Sequence, residues 1–203
     1  MPVVLCTLHS QVAPVCAGLA GARIAYVQVA GGALPVSLSD TVRTLRGHGL
    51  LEIACAVAPC LDGDAQFVTT AGALAWAKAQ GHDAVVCAVG PGIVGTASRL
   101  GHGALTLADA ANVAAALGGR PILAVRQSDA DARDRHRGVS HHAETVLQLA
   151  LADIAVPDIA HGEGWEEACA GLPLSHMGRG ADEDPAFFRA AYAAGVTARR
   201  LVG

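Results

Sequence analysis

The chain has 203 residues, 52% apolar but only 3% aromatic, so its core must be packed from Ala, Val, Leu and Ile. A formal net charge of -4 excludes a general nucleic-acid binder, which needs a basic surface to neutralise phosphates. The length suits a single α/β domain over residues 1–203.

Val3 to Leu8 reads as a strand ending in His9-Ser10-Gln11, and Val12 to Ala20 as an Ala-rich helix closed at Gly21. Residues 1–22 carry no formal charge, yet His9, Ser10, Gln11 and Pro14 interrupt the run and no basic region precedes it. Neither a spanning helix nor a signal peptide fits, so no membrane partner is expected and the protein is placed in the cytoplasm. Cysteines at 6, 16, 55, 60, 87 and 169 show no metal-ligand spacing and read as reduced, mostly buried small hydrophobes.

Arg23 to Val29 resumes as a strand that stops at Gly31 and Gly32. Ser37 then caps a helix with Asp40 three residues on and Leu38, Val42 and Leu45 along one face. Glu52 to Ala58 is a third strand, and Thr69 or Thr70 caps a helix carrying Leu74 and Ala77. Asp83 to Val89 has the composition of a strand buried on both faces of a parallel sheet. It runs into the turn Gly90 to Thr96, after which Thr106 with Asp109 caps a helix bearing Leu107, Ala110, Ala111, Ala114 and Leu117. Pro121 to Val125 is a fifth strand, a helix begins near Ser140 or His141, and Asp153 to Val156 is read as a sixth short strand. His161 to Asp184 reads as surface loops, and Asp184-Pro185 opens a last helix with Phe188, Ala191 and Tyr192 on its buried face. This alternation predicts an α/β fold: a three-layer α/β/α sandwich around a mainly parallel, Rossmann-like sheet.

Parallel strands put His9, Ser10, Gly31, Gly32, the Gly90 to Thr96 turn and the run Asp129 to His142 at one edge of the sheet. Such edges hold ligands, so His9, Ser10, Gly92, Thr96, Arg135 and His142 are expected to line one cleft. The run Asp129 to His142 packs three arginines, three histidines and three aspartates into fourteen residues between a strand and a helix. Arg135 and Arg137 flank His136 and are the candidate anion holders, because the guanidinium fork suits phosphate or carboxylate. The amides of Gly90, Gly92 and Gly95, with the Thr96 hydroxyl, form either an anion cradle or a plain rigid turn, since the Walker lysine and GxGxxG are both missing. His136 with His141 or His142 is the candidate proton-transfer pair, at a helix start whose dipole and neighbouring arginines keep the rings neutral. Ser140 is a candidate ligand-binding hydroxyl at that helix start. Ser10 is a candidate nucleophile without a GxSxG elbow, and with His9 it equally reads as a helix cap. A three-ligand site from His136, one of His141 and His142, and Asp129 or Asp131 matches no established spacing. Neighbouring helix positions diverge by about 100°, so His141 and His142 are not expected to share an ion, and no metal is assigned.

Four stretches taken together resemble a known family: LHSQVAP from Leu8, VGPGIVGTASRLGHG from Val89, RDRHRGVSHH from Arg133 and MGRGADEDPAFF from Met177. In order and coverage they are similar to the bacterial family catalogued as domain of unknown function 3866. The resemblance implies a longer protein type, with an N-terminal β-rich region that this chain lacks, and it implies no established reaction. Where members commonly read GTGT, this chain has GTAS at Gly95 to Ser98. The first expectation is a hydrolase or transferase binding an anionic, phosphorylated or nucleotide-like small molecule, its cofactor unassigned. The rivals are a non-catalytic metabolite-sensing domain and an assembly domain whose charged loop forms a homo-oligomer interface.

Overall fold

The computed structural model describes residues 1–202. Six parallel strands form one sheet: β1 (Pro2–Cys6), β2 (Ile24–Val29), β3 (Ile53–Val57), β4 (Ala65–Phe67), β5 (Ala84–Val89) and β6 (Arg120–Ala124). Their order is β4-β3-β2-β5-β1-β6, which inserts β5 between β2 and β1, where a Rossmann sheet keeps its first two strands adjacent. Strand β5, Ala-Val-Val-Cys-Ala-Val, is buried throughout, as its lack of polar alternation requires.

Alternate residues feed two cores. Val4, Cys6 and Tyr26 pack with α1 (Val12–Gly18), α2 (Asp40–Gly47) and α7 (Pro185–Arg199) on one face. Val3, Leu5 and Val27 pack with α3 (Thr70–Ala79), α4 (Thr106–Ala116) and α5 (His141–Leu149) on the other. The result is the expected three-layer α/β/α sandwich. With so few aromatics, the layers close by backbone proximity: a Cβ on Gly195 of α7 would lie 2.2 Å from the Val15 carbonyl oxygen of α1. Small residues are what let these two helices touch. A third cluster, around Trp165, Phe187 and Phe188, seals the end of α1 beneath the short helix α6 (Trp165–Ala168).

Several local expectations are corrected. Ser39, not Ser37, caps α2 by accepting the Val42 amide at 3.0 Å, while Ser37 donates to Asp62 and Leu38 is exposed. Thr69 does cap α3. Thr106 is the first residue of α4 rather than its cap, because its hydroxyl reaches back to the Ala30 carbonyl at 2.8 Å, and Leu117 lies largely outside the core. Asp153 to Val156 adds only a single bridge from Ala155 to Ile122, and the sixth strand is β4, three residues long. Among the described residues no helix is long and apolar enough to cross a membrane. All six cysteines are free, and all but Cys60 are buried.

Candidate functional site

At the sheet's C-terminal edge, the chain leaving β1 turns toward the α1 face and the chain leaving the adjacent β5 turns toward α4 on the opposite face. The crevice between diverging connections is where open α/β sheets bind ligands. A cleft of about 520 Å³ lies there, lined by His9, Ser10, Gly90 and Gly92 together with Thr41, Ser175 and His176. His9 is not a free base in it. Its Nε2 lies 2.7 Å from the Ser39 hydroxyl and its Nδ1 3.2 Å from the Tyr26 hydroxyl, which donates onward to Gln28. Burial pushes this ring down to about 4, so the wire is neutral. Ser10 makes no side-chain hydrogen bond among the described residues, and no imidazole activates it. Gln11, overlooked in the sequence, ties the edge together by accepting from the Leu8 amide and donating to the Ala124 carbonyl of β6.

The turn after β5 is braided rather than open. Its Val94 amide donates to Gly31, its Thr96 amide to Gly101, and the Gly103 amide returns to Val94. Gly31 and Gly103 touch so closely that a Cβ on either would meet the other's carbonyl oxygen within 2.4 Å. The Thr96 hydroxyl is also occupied, donating to Gly101 and accepting from the Ser98 amide. The Val94 and Thr96 amides and the Thr96 hydroxyl are thus already bonded, and they are not the Gly90, Gly92 and Gly95 amides of the candidate cradle.

A second cleft, of about 310 Å³, opens beside the first and is lined by Gly95, Thr96, Arg126, Arg133, Arg135, His136 and His142. Both clefts are walled by Leu8, Ile93 and Met177, so the expected single cleft is divided. Met177 occupies the divide in a tight turn where His176 and Arg179 exchange backbone bonds and both Met177 and Gly178 have positive φ. Arg137 and His141 fall outside, in a more open groove with Arg99 and Glu144. Arg137 is exposed and among the described residues pairs only with Asp134, at 3.6 Å, while in the preceding 3-10 turn Asp134–His136 only His136 is buried.

Arg126, which the sequence reading did not single out, also lines this cleft. It is buried to 2% exposure, with Nη2 3.4 Å from Asp131, Nη1 3.2 Å from His142 Nδ1, and Nε without a partner. Arg133 clasps Asp131, one of the carboxylates considered for a metal, in the fork at 2.9 and 2.8 Å, and that contact holds its carboxyl well below the usual range. Arg179 bridges Asp131 at 3.5 Å and Asp184 at 3.1 Å, and Ser128 donates to Asp184. Three guanidiniums face two carboxylates here, and Arg135 adds a fourth positive charge to the cleft. Burial lowers Arg126 to about 10 against the opposing pull of Asp131, which leaves it charged at neutral pH. The wall carries uncompensated positive charge.

The imidazoles gather behind it. Ser140 caps α5 through the His142 amide and sits 2.7 Å from His136 Nδ1, so it is a buried structural contact rather than part of the cleft lining. With the amide supplying the serine's donor, the hydroxyl proton goes to His136 Nδ1, and Nε2 carries the ring proton. His142 accepts Arg126 at Nδ1 and is in the same tautomer. His102, at the far end of the braid, stacks on His142 with ring centroids 3.9 Å apart, and its Nε2 lies 2.9 Å from Thr145. Burial is the leading cause of depression in all four rings: His102 to about 4, His136 to about 3, His142 to about 2, and His141 by a smaller step helped by Arg135 and Arg126. Low pKa was expected from the helix dipole and the arginines; desolvation dominates instead. His141 and His142, not expected to share an ion, nevertheless bring ring nitrogens close together. One nitrogen each from His102, His141 and His142 lies within 4.8 Å of the others, since short reaches from a helix start offset the angular divergence.

No curated protein and no solved structure matches the chain. Residues 1–166, which hold three of the four motifs, match the family described as protein of unknown function (DUF3866), and with that share of the chain matched it belongs to this family.

Proposed function

We propose that the chain binds a small anionic molecule, phosphorylated in the first instance, in the cleft walled by Arg126, Arg133 and Arg135, and that it is a hydrolase or transferase acting on that ligand. The observation that carries the reading is Arg126: a buried, charged guanidinium with a free Nε and incomplete carboxylate compensation at the cleft wall. Burying such a charge is costly unless it is paired, and an anion in the cleft supplies the missing partner. The Nε2 protons of His136 and His142 fit the same chemistry as neutral donors to anion oxygens. The adjoining cleft, with Ser10 and His176, would take the rest of the molecule past Met177. Free thiols fit a reducing compartment, and we read the site as working in the cytoplasm.

The same tautomers favour a second reading, a non-catalytic metabolite sensor. Both cleft histidines present donors, and neither is hydrogen-bonded as a base to Ser10. Titrating the full chain with inorganic phosphate, pyrophosphate and AMP by calorimetry, followed by assays for phosphate release or transfer, separates the readings. Binding with turnover supports the enzyme, and binding without turnover supports the sensor. No binding of any of the three, with the wild type folded, overturns both.

A further inference from the structure

The histidine cluster is more than the back wall of the anion cleft. His102, His141 and His142 each present a nitrogen within 4.8 Å of the other two, and all three rings are buried. Two buried nitrogens of this trio, His102 Nδ1 and His141 Nε2, have no hydrogen-bond partner among the described residues. An unpartnered buried polar atom is costly, and two in adjoining rings call for a shared partner. His102 is also oriented for ligation. The Thr145 hydroxyl donates to the His141 carbonyl at 2.7 Å and so accepts the His102 Nε2 proton, leaving Nδ1 as a lone pair. Imidazoles that stay neutral at ordinary pH are the form a metal takes.

We infer that His102, His141 and His142 form a three-nitrogen site for a divalent transition metal of the zinc class, on the inner side of α5 where the braid ends. Zinc–nitrogen bonds of about 2.0–2.1 Å place tetrahedral donors about 3.4 Å apart, so the rings close inward by small rotations on loading. Three protein nitrogens leave a fourth position open.

The charges around the cluster set the terms of binding. Arg126, Arg135 and Arg99 oppose a bare dication, while Glu144, one turn along α5, favours it. The site therefore suits a metal that brings an anionic fourth ligand, such as hydroxide or a phosphate oxygen. His142 ligates only once its Arg126 contact opens, because a ring accepting at Nδ1 carries its proton on Nε2. Metal loading and the Arg126–His142 contact exclude each other. This inference does not rest on the anion reading, since each site can be tested with the other empty.

The test is a titration of the chelator-stripped full chain with Zn²⁺ alone, by calorimetry against a competing chelator and without phosphate in the buffer. One ion per chain is expected, with His102→Ala and His141→Ala each weakening binding at least tenfold. Thr145→Val, which removes only the orienting contact, is expected to weaken it about tenfold. Arg126→Met is expected to tighten it at least threefold, the opposite of its effect on anion binding. Zn²⁺ uptake that is equal in wild type and in a folded His102→Ala/His141→Ala double variant overturns the site. Should that double variant not fold, the wild type loaded with Co²⁺ decides. Intense visible bands of tetrahedral nitrogen ligation at one equivalent support the site, and the weak spectrum of octahedral aqueous ion overturns it.

Discussion

The two loops that leave the adjacent ends of the sheet are built on opposite principles. The loop after β5 is held by backbone: the braid of Gly31, Val94, Thr96 and Gly103 amides and carbonyls, with no titratable side chain from Gly90 to Ser98. The loop after β6 adds side chains to a short backbone ladder of Gln127 and Ser128 with Val139 and Gly138: Arg126, Asp131, Arg133 and the histidines at the start of α5 hold what lies between. The stretch Gly90 to Ser98 has no side chain to titrate, and the Gly31–Gly103 contact that anchors it leaves no room for added atoms. The charged stretch Asp131 to His142 is the reverse, and the proposed anion ligand is read against that side.

Acid separates the two most strongly. His9, His102, His136, His142 and His176 all have lowered pKa in the folded protein, each through burial first. The unfolded chain then binds protons more readily, so stability is fully present above the unfolded value of about 6.5 and is lost as pH falls toward the folded values near 4 and below. Each ring can cost up to about 1.4 kcal/mol per pH unit in that window. Denaturant midpoints measured from pH 7.5 to 5 should fall steeply, and hydrogen exchange should show the Ser140 to His142 amides opening before the Val94 amide. A flat profile would mean that these rings are solvated.

Asp131→Asn is the next largest effect. It leaves Arg126, Arg133 and Arg179 facing Asp184 alone, and breaking a buried pair in this way costs about 3–5 kcal/mol. Equilibrium unfolding at pH 7 reads it. On the other side of the comparison, Gly103→Ala drives a methyl to 2.2 Å from the Gly31 carbonyl oxygen and should cost about 1–3 kcal/mol, with no change in the pH profile. Smallest is Arg137→Ala. Its only partner is the exposed Asp134, so a change within about 0.5 kcal/mol in stability and none in anion affinity is expected.

The layers were legible in the sequence because each rests on local pattern: buried Val and Cys in β5, three-four spacing in α4, Pro185 at the start of α7. The misreadings came where tertiary contact overrides pattern. Ser39 took the cap from Ser37, and β4 is too short for a periodicity. In the site, the charged run after β6 was legible through its composition, but its roles were not. Arg126 directly follows the apolar run Pro121 to Val125, and only the fold brings it against His142. His102 lay inside a glycine-rich motif far from the other histidines in sequence, and its stacking on His142 depends on the braid that returns it. Arg137 alternates with Arg135 in sequence, yet Arg135 lines both the cleft and the open groove while Arg137 lines the groove alone.

The central claim is that the uncompensated charge at Arg126 binds an anion. Calorimetric titration of pyrophosphate into wild type and into Arg126→Met, at fixed pH 7.5 and two ionic strengths, tests it most directly. The account predicts saturable binding to wild type at one per chain and at least a tenfold loss in the folded variant at both ionic strengths. Equal affinity in the two proteins, or binding that vanishes from wild type at the higher ionic strength as a surface contact would, contradicts it.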